Sequence, residues 1–459
     1  MYKKLHIFFV GIGGIGMSGI AEILLNLGYP VSGSDIKRSP VVDRLKRKGA
    51  KIYIGHSEKN VRHIDVMVVS SAIREGNPEV RAAQRKKIRV IQRAEMLAEV
   101  MRYAKYGIAV AGTHGKTTTT SLLATVLHAA KIDPTVIIGG ILRSLKSNAK
   151  LGRGDFMVTE ADESDGSFLK LYPTIAVITN MDPEHLDHYG SFKNYREAFY
   201  QFCEHLPFYG LAVICGEHPE TLKMCAHMHK RYAVYGFDKE HDWNAQDIQY
   251  RGTVCHYKLY RKDQLIDHIQ LNLPGRHNVL NSLAVITVAD EIGIKMPVIK
   301  KALRGFKGVG RRIEVLCKTQ GIVAIDDYAH HPSEIMSTLQ AVRKAFAGRL
   351  VVLFQPHRYT RTKDLFKDFV NSFELADQLF VMGIYPAGET PIKGVSGLKL
   401  AEAIKRKKRD RVRYLPQSEK AAEEVLAFLR TGDVFLSLGA GDVTKTARKI
   451  AATLKKKQA

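Results

Sequence analysis

A lysine set between a glycine and a run of threonines, in Gly112-Thr113-His114-Gly115-Lys116-Thr117-Thr118, carries the densest chemistry in the chain. Backbone N–H groups at the start of a helix wrap an anion, the Lys116 ammonium reaches terminal phosphates, and the Thr117 hydroxyl ligates magnesium. The usual spacing is shortened here. Val110 stands where the first glycine belongs, and Gly112 precedes Gly115 by only three residues. The bland alternative is an αβ turn that happens to carry a lysine. Four consecutive threonines, Thr117 to Thr120, argue against it, because β-branched residues start helices poorly unless their hydroxyls have a use.

Acidic residues follow in the right place. Phe156 to Thr159 is an apolar run leading into Glu160-Ala161-Asp162-Glu163-Ser164-Asp165. An acidic residue at a strand's carboxyl end beside a phosphate loop anchors magnesium. Glu160, first in the run, is placed for it, and the others suit a solvated acidic turn equally well. His185 lies one strand further on, in Asn180-Met181-Asp182-Pro183-Glu184-His185. Metal or phosphate contact and a plain surface position stay equal alternatives for it.

A second glycine cluster, Gly11-Ile12-Gly13-Gly14-Ile15-Gly16, lies between the apolar run Leu5 to Val10 and a helix ending near Gly28. Val31 to Asp35 then closes a strand on a carboxylate. This is the Rossmann layout, with Asp35 where a ribose ligand belongs. It implies a nucleotide diphosphate without separating NAD from a UDP-sugar. Ser70 and Ser71 end the later strand Val66 to Ser70 and suit either a ligand crevice or a solvated strand end. Asn278 and Asn281 are three apart and share a helix face, where a carboxamide meets an adenine edge or Asn278 simply caps the helix.

These groups need strands to position them. Ile108 to Ala111, Ile175 to Thr179, Val323 to Ile325, Leu350 to Phe354, Leu379 to Met382 and Val434 to Leu438 read as buried strands. Thr253 to Tyr260 and Leu265 to Leu273 add two more. Two of the buried runs open onto Asp326-Asp327-Tyr328-Ala329-His330-His331-Pro332 and Gln355-Pro356-His357-Arg358-Tyr359-Thr360-Arg361, the doubly wound pattern again. With 459 residues, one core does not suffice. Three α/β domains are expected: residues 1–106 Rossmann-like, 107–310 a central phosphate-loop domain, and 311–459 doubly wound, with no fixed-period repeat.

The net charge is +24. Its one dense cluster, Lys405 to Arg413, lacks interleaved aromatics, so a nucleic-acid partner is not expected. A generally basic surface and anionic substrates fit better. Five cysteines show no CxxC spacing and imply reduced, buried thiols in a cytoplasmic protein. No run approaches the ~20 apolar residues of a membrane span, and the glycines after Val10 argue against a signal peptide.

Taken together, the ordered segments resemble the Mur ligase family. They are GIGGIGMSGIAEILL from Gly11, GTHGKTTTT from Gly112, EADESD from Glu160, NMDPEHLD from Asn180, GRHNVLN from Gly275, GRR from Gly310, DDYAHHP from Asp326, FQPHRYTRT from Phe354 and YPAGE from Tyr385. The resemblance spans essentially the whole chain. It implies an ATP-dependent amide-bond former acting on UDP-N-acetylmuramate and L-alanine in peptidoglycan synthesis. The family member that recycles a muropeptide differs at the N-terminal glycine motif.

The resemblance also implies roles. Gly112, Thr113, His114, Gly115, Lys116, Thr117 and Thr118 would hold ATP; Thr117 and Glu160 would hold one magnesium, and His185 would help hold a second. Asn278 and Asn281 would face adenine, with Arg312 and Asp327 near the phosphates and ribose. Gly11, Gly13, Gly14, Gly16, Met17, Ser18, Asp35, Ser70 and Ser71 would take the UDP end of the sugar nucleotide rather than NAD. Tyr328, His330, Arg358 and Arg361 would form the amino-acid end, with Arg358 clamping the carboxylate of L-alanine. No residue is assigned to the carbamylated lysine of sister ligases. His330 and Asp327 both remain open as acceptors of the amine's proton. A monomer and a homodimer stay equally open. The rival classes are an NAD-dependent dehydrogenase, which would leave the phosphate loop idle, and a nucleic-acid-stimulated ATPase.

Overall fold

The structure is a computed structural model and describes residues 4–70, 72–74, 76–142, 147–416 and 418–456. The chain divides into two compact units. One holds the chain up to Asp247 with Lys258–Ile269 and Leu280–Lys307; the other holds Ile248–Tyr257, Gln270–Val279 and the chain from Gly308 onward.

Among the described residues the strands form three sheets. The first is built from β1 (Ile7–Val10), β2 (Val31–Asp35), β3 (Lys51–Ile54), β4 (Val66–Val69) and β5 (Arg89–Gln92), in the order β3-β2-β1-β4-β5 with every pair parallel. β1 is buried along its whole length, as its unbroken apolar run requires when helices cover both faces.

The second sheet runs β12-β11-β10-β6-β9-β7-β8, where β6 is Tyr106–Ala111, β7 Thr135–Leu142, β8 Ser147–Lys150, β9 Phe156–Glu160, β10 Ile175–Ile178, β11 Leu211–Cys215 and β12 Tyr232–Gly236. β13 (Trp243–Arg251), β14 (Val254–Arg261) and β15 (Gln264–Leu271) continue it beyond β12. The central position of β6, between β10 and β9, brings the carboxyl ends of three parallel strands side by side.

The third sheet, in the second unit, runs β16-β17-β21-β18-β19-β20. These strands are β16 (Glu314–Thr319), β17 (Ile322–Asp327), β18 (Leu350–Phe354), β19 (Gln378–Met382), β20 (Val412–Leu415) and β21 (Val434–Leu438). Only the β16–β17 pair is antiparallel. β21 therefore lies between β17 and β18, and its loop emerges beside both of their polar clusters.

The α/β class expected from the sequence is borne out by these sheets. All five cysteines are buried and unpaired, and burial pushes the thiols up, to about 12 for Cys215 and Cys255 and about 11 for Cys225. No helix among the described residues is long and apolar enough to cross a membrane.

Candidate active site

The turn after β6 depends on its glycines. Gly112 has φ +128°, and a Cβ there would lie 2.2 Å from Thr179 Oγ1. Gly115, at φ +85°, caps the helix Lys116–Ala129, and its Cβ would lie 2.7 Å from Asn281 Oδ1. Neither position tolerates a side chain. Asn281 thus reaches the loop. Asn278, on the same helix Arg276–Glu291, turns its Nδ2 back to Pro274 O at 2.7 Å. Both carboxamides are buried.

The Lys116 ammonium donates to Gly112 O, to Thr113 O at 3.2 Å and to Glu163 Oε1 at 2.8 Å. Glu163 is the main surprise of the acidic run. The sequence left it as a candidate solvated residue, yet it is 2% exposed. Burial pushes its carboxyl up to about 7, aided by neighbouring Asp162 and opposed by Lys116. Burial also works against the ammonium, but Glu163, Asp162 and Glu160 together hold Lys116 above its ordinary value.

Thr117 Oγ1 donates to Glu160 Oε2 at 3.0 Å, and the second oxygen of Glu160 accepts from Gly139 N at 2.6 Å. The threonine run behaves differently from expectation. Thr119 and Thr120 are fully buried and their hydroxyls find no partner, so they act as packing residues. Thr118 is also buried. His185, at φ +56°, places Nε2 3.9 Å from Glu163 Oε1 and 3.5 Å from Glu184 Oε2. A hydroxyl with carboxylate oxygens is a donor set suited to a hard divalent cation.

The first glycine loop is simpler. Gly11 has φ +77°, and Gly13 N–H donates to Asp35 Oδ2 at 2.8 Å. Asp35 thus holds the loop from below. Gly14 caps the helix Ile15–Asn26. Met17 and Ser18 are buried, and the Ser18 hydroxyl donates to Ile15 O and accepts from Asn148 Nδ2; neither side chain turns outward, so any ligand contact there falls to backbone. Gly16 is covered by Arg93, whose side chain would stand 3.1 Å from a Cβ at that position. The same guanidinium donates to Asp162 Oδ2 at 2.9 Å. Arg93 was not singled out in the sequence, where nothing marks it. Ser70 follows β4 half-buried; Ser71 lies outside the described residues.

In the second unit, Asp327 is spent on its own turn. Its oxygens accept from Ile313 N at 2.6 Å, Ala329 N at 2.8 Å and Thr338 Oγ1 at 3.3 Å. Burial pushes it up to about 6 despite Arg312 and the two N–H groups. Its oxygens hold the turn after β17, and it is 3% exposed. Tyr328 lies beneath two guanidiniums, Arg311 at 4.7 Å and Arg312 at 5.2 Å from the ring centre. Arg311 also donates to Gly439 O, Ala440 O and Gly441 O, fixing the loop after β21.

His330 Nδ1 lies 3.0 Å from Tyr328 O and 3.2 Å from Glu334 Oε2. Its ring meets His357, which stacks on Tyr385. Burial, then the charges of His330, Arg361, Arg358 and Arg311, push His357 down to about 3, so it is neutral. Arg358 is exposed, at φ +69°, and its N–H donates to Tyr385 O at 2.8 Å. Arg361 follows one helical turn later on Tyr359–Asp364, half-buried. Tyr328, His330 and Arg358 are thus carried by loops, and Arg361 by a short helix, beyond the carboxyl ends of two strands, β17 and β18, of one sheet.

Residues 6–105 match the model of the Mur ligase family catalytic domain, residues 110–289 the Mur ligase middle domain, and residues 311–441 the Mur ligase glutamate ligase domain. The chain is 52% identical over 452 residues to the UDP-N-acetylmuramate–L-alanine ligase of Desulfatibacillum aliphaticivorans, covering 98% of this chain and 99% of the relative. It is 49% identical over 456 residues to the ligase of the same description from Geotalea daltonii, covering 99% of each. The crystal structure of a UDP-N-acetylmuramate-alanine ligase from Thermotoga maritima is similar with a TM-score of 0.85 at 30% identity, covering 99% of this chain and 100% of that one.

Proposed function

The chain belongs to the Mur ligase family, and from that premise we infer that it is an ATP-dependent ligase. It joins L-alanine to the carboxylate of UDP-N-acetylmuramate and releases ADP and phosphate, in cytoplasmic peptidoglycan precursor synthesis. The observation that carries the reading is the grouping of Lys116, Thr117 and Glu160 at the carboxyl ends of neighbouring strands β6 and β9.

A carboxylate resists attack by an amine because its charge and resonance make it a poor electrophile. Transfer of the γ-phosphoryl group of ATP onto the muramyl carboxylate forms a new P–O bond and breaks the bond to ADP. The resulting acyl phosphate has a good leaving group. The neutral amine of L-alanine then adds to the carbonyl, and the tetrahedral intermediate expels phosphate to leave the amide. Lys116 leaves Glu163 to meet the terminal phosphates, since the first step brings two anions together. Thr117 and Glu160 would hold one magnesium ion, and His185 with Glu163 would hold a second. Magnesium, when bound, supplies positive charge where the phosphoryl group transfers.

Gly11, Gly13, Gly14 and Gly16 approach the UDP diphosphate through backbone, with Asp35 steadying them. Asn278 and Asn281 serve the adenine end, and Arg312 the phosphates. Arg358 clamps the carboxylate of L-alanine, with Tyr328 and Arg361 beside it. His330 takes the proton of the amine, because Asp327 is occupied by its own turn. Isotope tests the sequence of steps. Oxygen-18 in the muramyl carboxylate should appear in the released phosphate during turnover with L-alanine; label kept wholly in the amide product would overturn it.

A further inference from the structure

Three adjacent strands of the second sheet each send one residue into a chain of contacts that ends on the phosphate loop. His114 follows β6, Asp182 follows β10, and His218 follows β11. His114 Nε2 lies 3.3 Å from Asp182 Oδ2, and His218 Nε2 lies 3.1 Å from Asp182 Oδ1. One carboxylate thus separates two imidazoles. We propose that Asp182 and His218 are positioning residues of the phosphate loop: together they fix the His114 side chain, and with it the Thr113–His114–Gly115 backbone that encloses the triphosphate. The inference rests on the reading of that loop as the ATP seat.

The backbone contacts point the same way. Asp182 N–H donates to Thr113 Oγ1 at 2.9 Å, and His114 N–H donates to Asn180 Oδ1 at 2.8 Å. Thr179 Oγ1 and Asn180 Nδ2 both donate to His114 O. The segment after β10 therefore grips Thr113 and His114 by main chain and side chain at once. A loop whose N–H groups must aim at phosphate oxygens gains from such bracing, since a misaimed donor loses most of its interaction.

The orientation of His218 can be read as well. Its Nδ1 is buried with no hydrogen-bond partner. A buried lone pair is less costly than a buried, unpartnered N–H, which fixes the proton on Nε2, facing Asp182. The carboxylate accepts from both rings, and the hydrogen bonds from His114, then His218, hold Asp182 well below the usual carboxylate range. Sequence alone gave no hint of His218, which lies about a hundred residues beyond the loop.

The test uses full-length Asp182→Asn and His218→Gln proteins, with Asp182→Asn/His218→Gln as the double variant. Measurements are kcat and KM for ATP, KM for UDP-N-acetylmuramate, Mg-ADP affinity by calorimetry, and long-range 1H–15N spectra reporting the His114 tautomer. Loss of one charge-assisted hydrogen bond should raise KM for ATP and the Kd for Mg-ADP about tenfold in Asp182→Asn and about threefold in His218→Gln. The expected kcat stays within about threefold, and KM for the sugar nucleotide does not move. The double variant should match Asp182→Asn, because His218 acts through that carboxylate. The His114 spectrum should change from one tautomer to a mixture in both single variants.

Wild-type nucleotide affinity with an unchanged His114 spectrum in folded Asp182→Asn protein would overturn the proposal. If Asp182→Asn fails to fold, His218→Gln alone decides by the same two readouts. A wild-type protein that binds no Mg-ADP would instead sink the ATP reading, and the His114 spectra would still decide whether the imidazole is held.

Discussion

The two glycine loops of the first unit share an ancestry of form and differ in how they are held. Both follow a buried parallel strand and open a helix, at Ile15–Asn26 and Lys116–Ala129. The loop from Gly11 to Gly16 presents backbone and is steadied by one carboxylate, Asp35. The loop from Gly112 to Lys116 carries a half-buried ammonium matched to a buried carboxylate, and segments from β9 and β10 brace it. Backbone N–H groups suffice to seat a diphosphate that passes through unchanged. Transferring a phosphoryl group needs charge held ready in a site that excludes water. On the proposed function, the contrast would separate a loop that binds from a loop that reacts.

The sharpest way to break that contrast is Lys116→Ala. Loss of kcat by about a thousandfold or more is expected in a coupled phosphate-release assay, with KM for the sugar nucleotide unchanged. Thr117→Val should follow, with kcat down about a hundredfold and a raised magnesium requirement, seen by titrating the metal at saturating ATP. Gly13→Ala addresses the other loop. A Cβ there would lie 2.7 Å from Asp35 Oδ2 and 3.0 Å from Val42 Cγ2. KM for UDP-N-acetylmuramate should rise about tenfold while KM for ATP holds, since only one phosphate seat is displaced. Equal effects of Gly13→Ala on both substrates would erase the distinction.

Proton linkage offers a smaller, separate test. Glu163 is pushed from 4.5 up to about 7 in the folded chain. Its contribution to stability is therefore complete below about pH 4.5 and is lost as pH rises through about 7. Urea unfolding without magnesium or nucleotide should show a fall on the order of 3 kcal/mol from Glu163 across that window; Glu163→Gln should remove that share and leave the fall contributed by Asp327, which burial raises to about 6. The smallest effect belongs to Tyr195→Phe, which removes the hydroxyl 3.0 Å from Thr113 Oγ1 while leaving the buried ring. A stability loss of about 1 kcal/mol and a change in KM for ATP below threefold are expected from denaturation and steady-state kinetics.

Central strands were legible in the sequence because burial on both faces leaves unbroken apolar runs, as in Leu350–Phe354 and Val434–Leu438. The outer strands of the first sheet were not. Lys51–Ile54 and Arg89–Gln92 have exposed ends and too few buried positions to stand out. The same division runs through the site. Lys116, Thr117 and Glu160 are marked by their order along strand, loop and helix. Glu163 is not, because within Glu160 to Asp165 only the course of the chain decides which carboxylate turns inward. His357, Arg93 and Asp182 likewise acquire meaning from neighbours distant in sequence, such as Tyr385, Gly16 and His218. Asp327 shows the reverse. Its place at a strand end suggests reactivity, and the structure adds three donors that tie it to its turn.

Five inward-facing thiols, none paired and all raised by their surroundings, leave little thiolate for alkylating reagents at neutral pH. The native protein is consequently a quiet background for chemistry on sulfur. One cysteine introduced on an exposed helix would take a maleimide dye almost alone, and the movements of a single labelled segment during catalysis could be followed without first stripping the wild-type cysteines away.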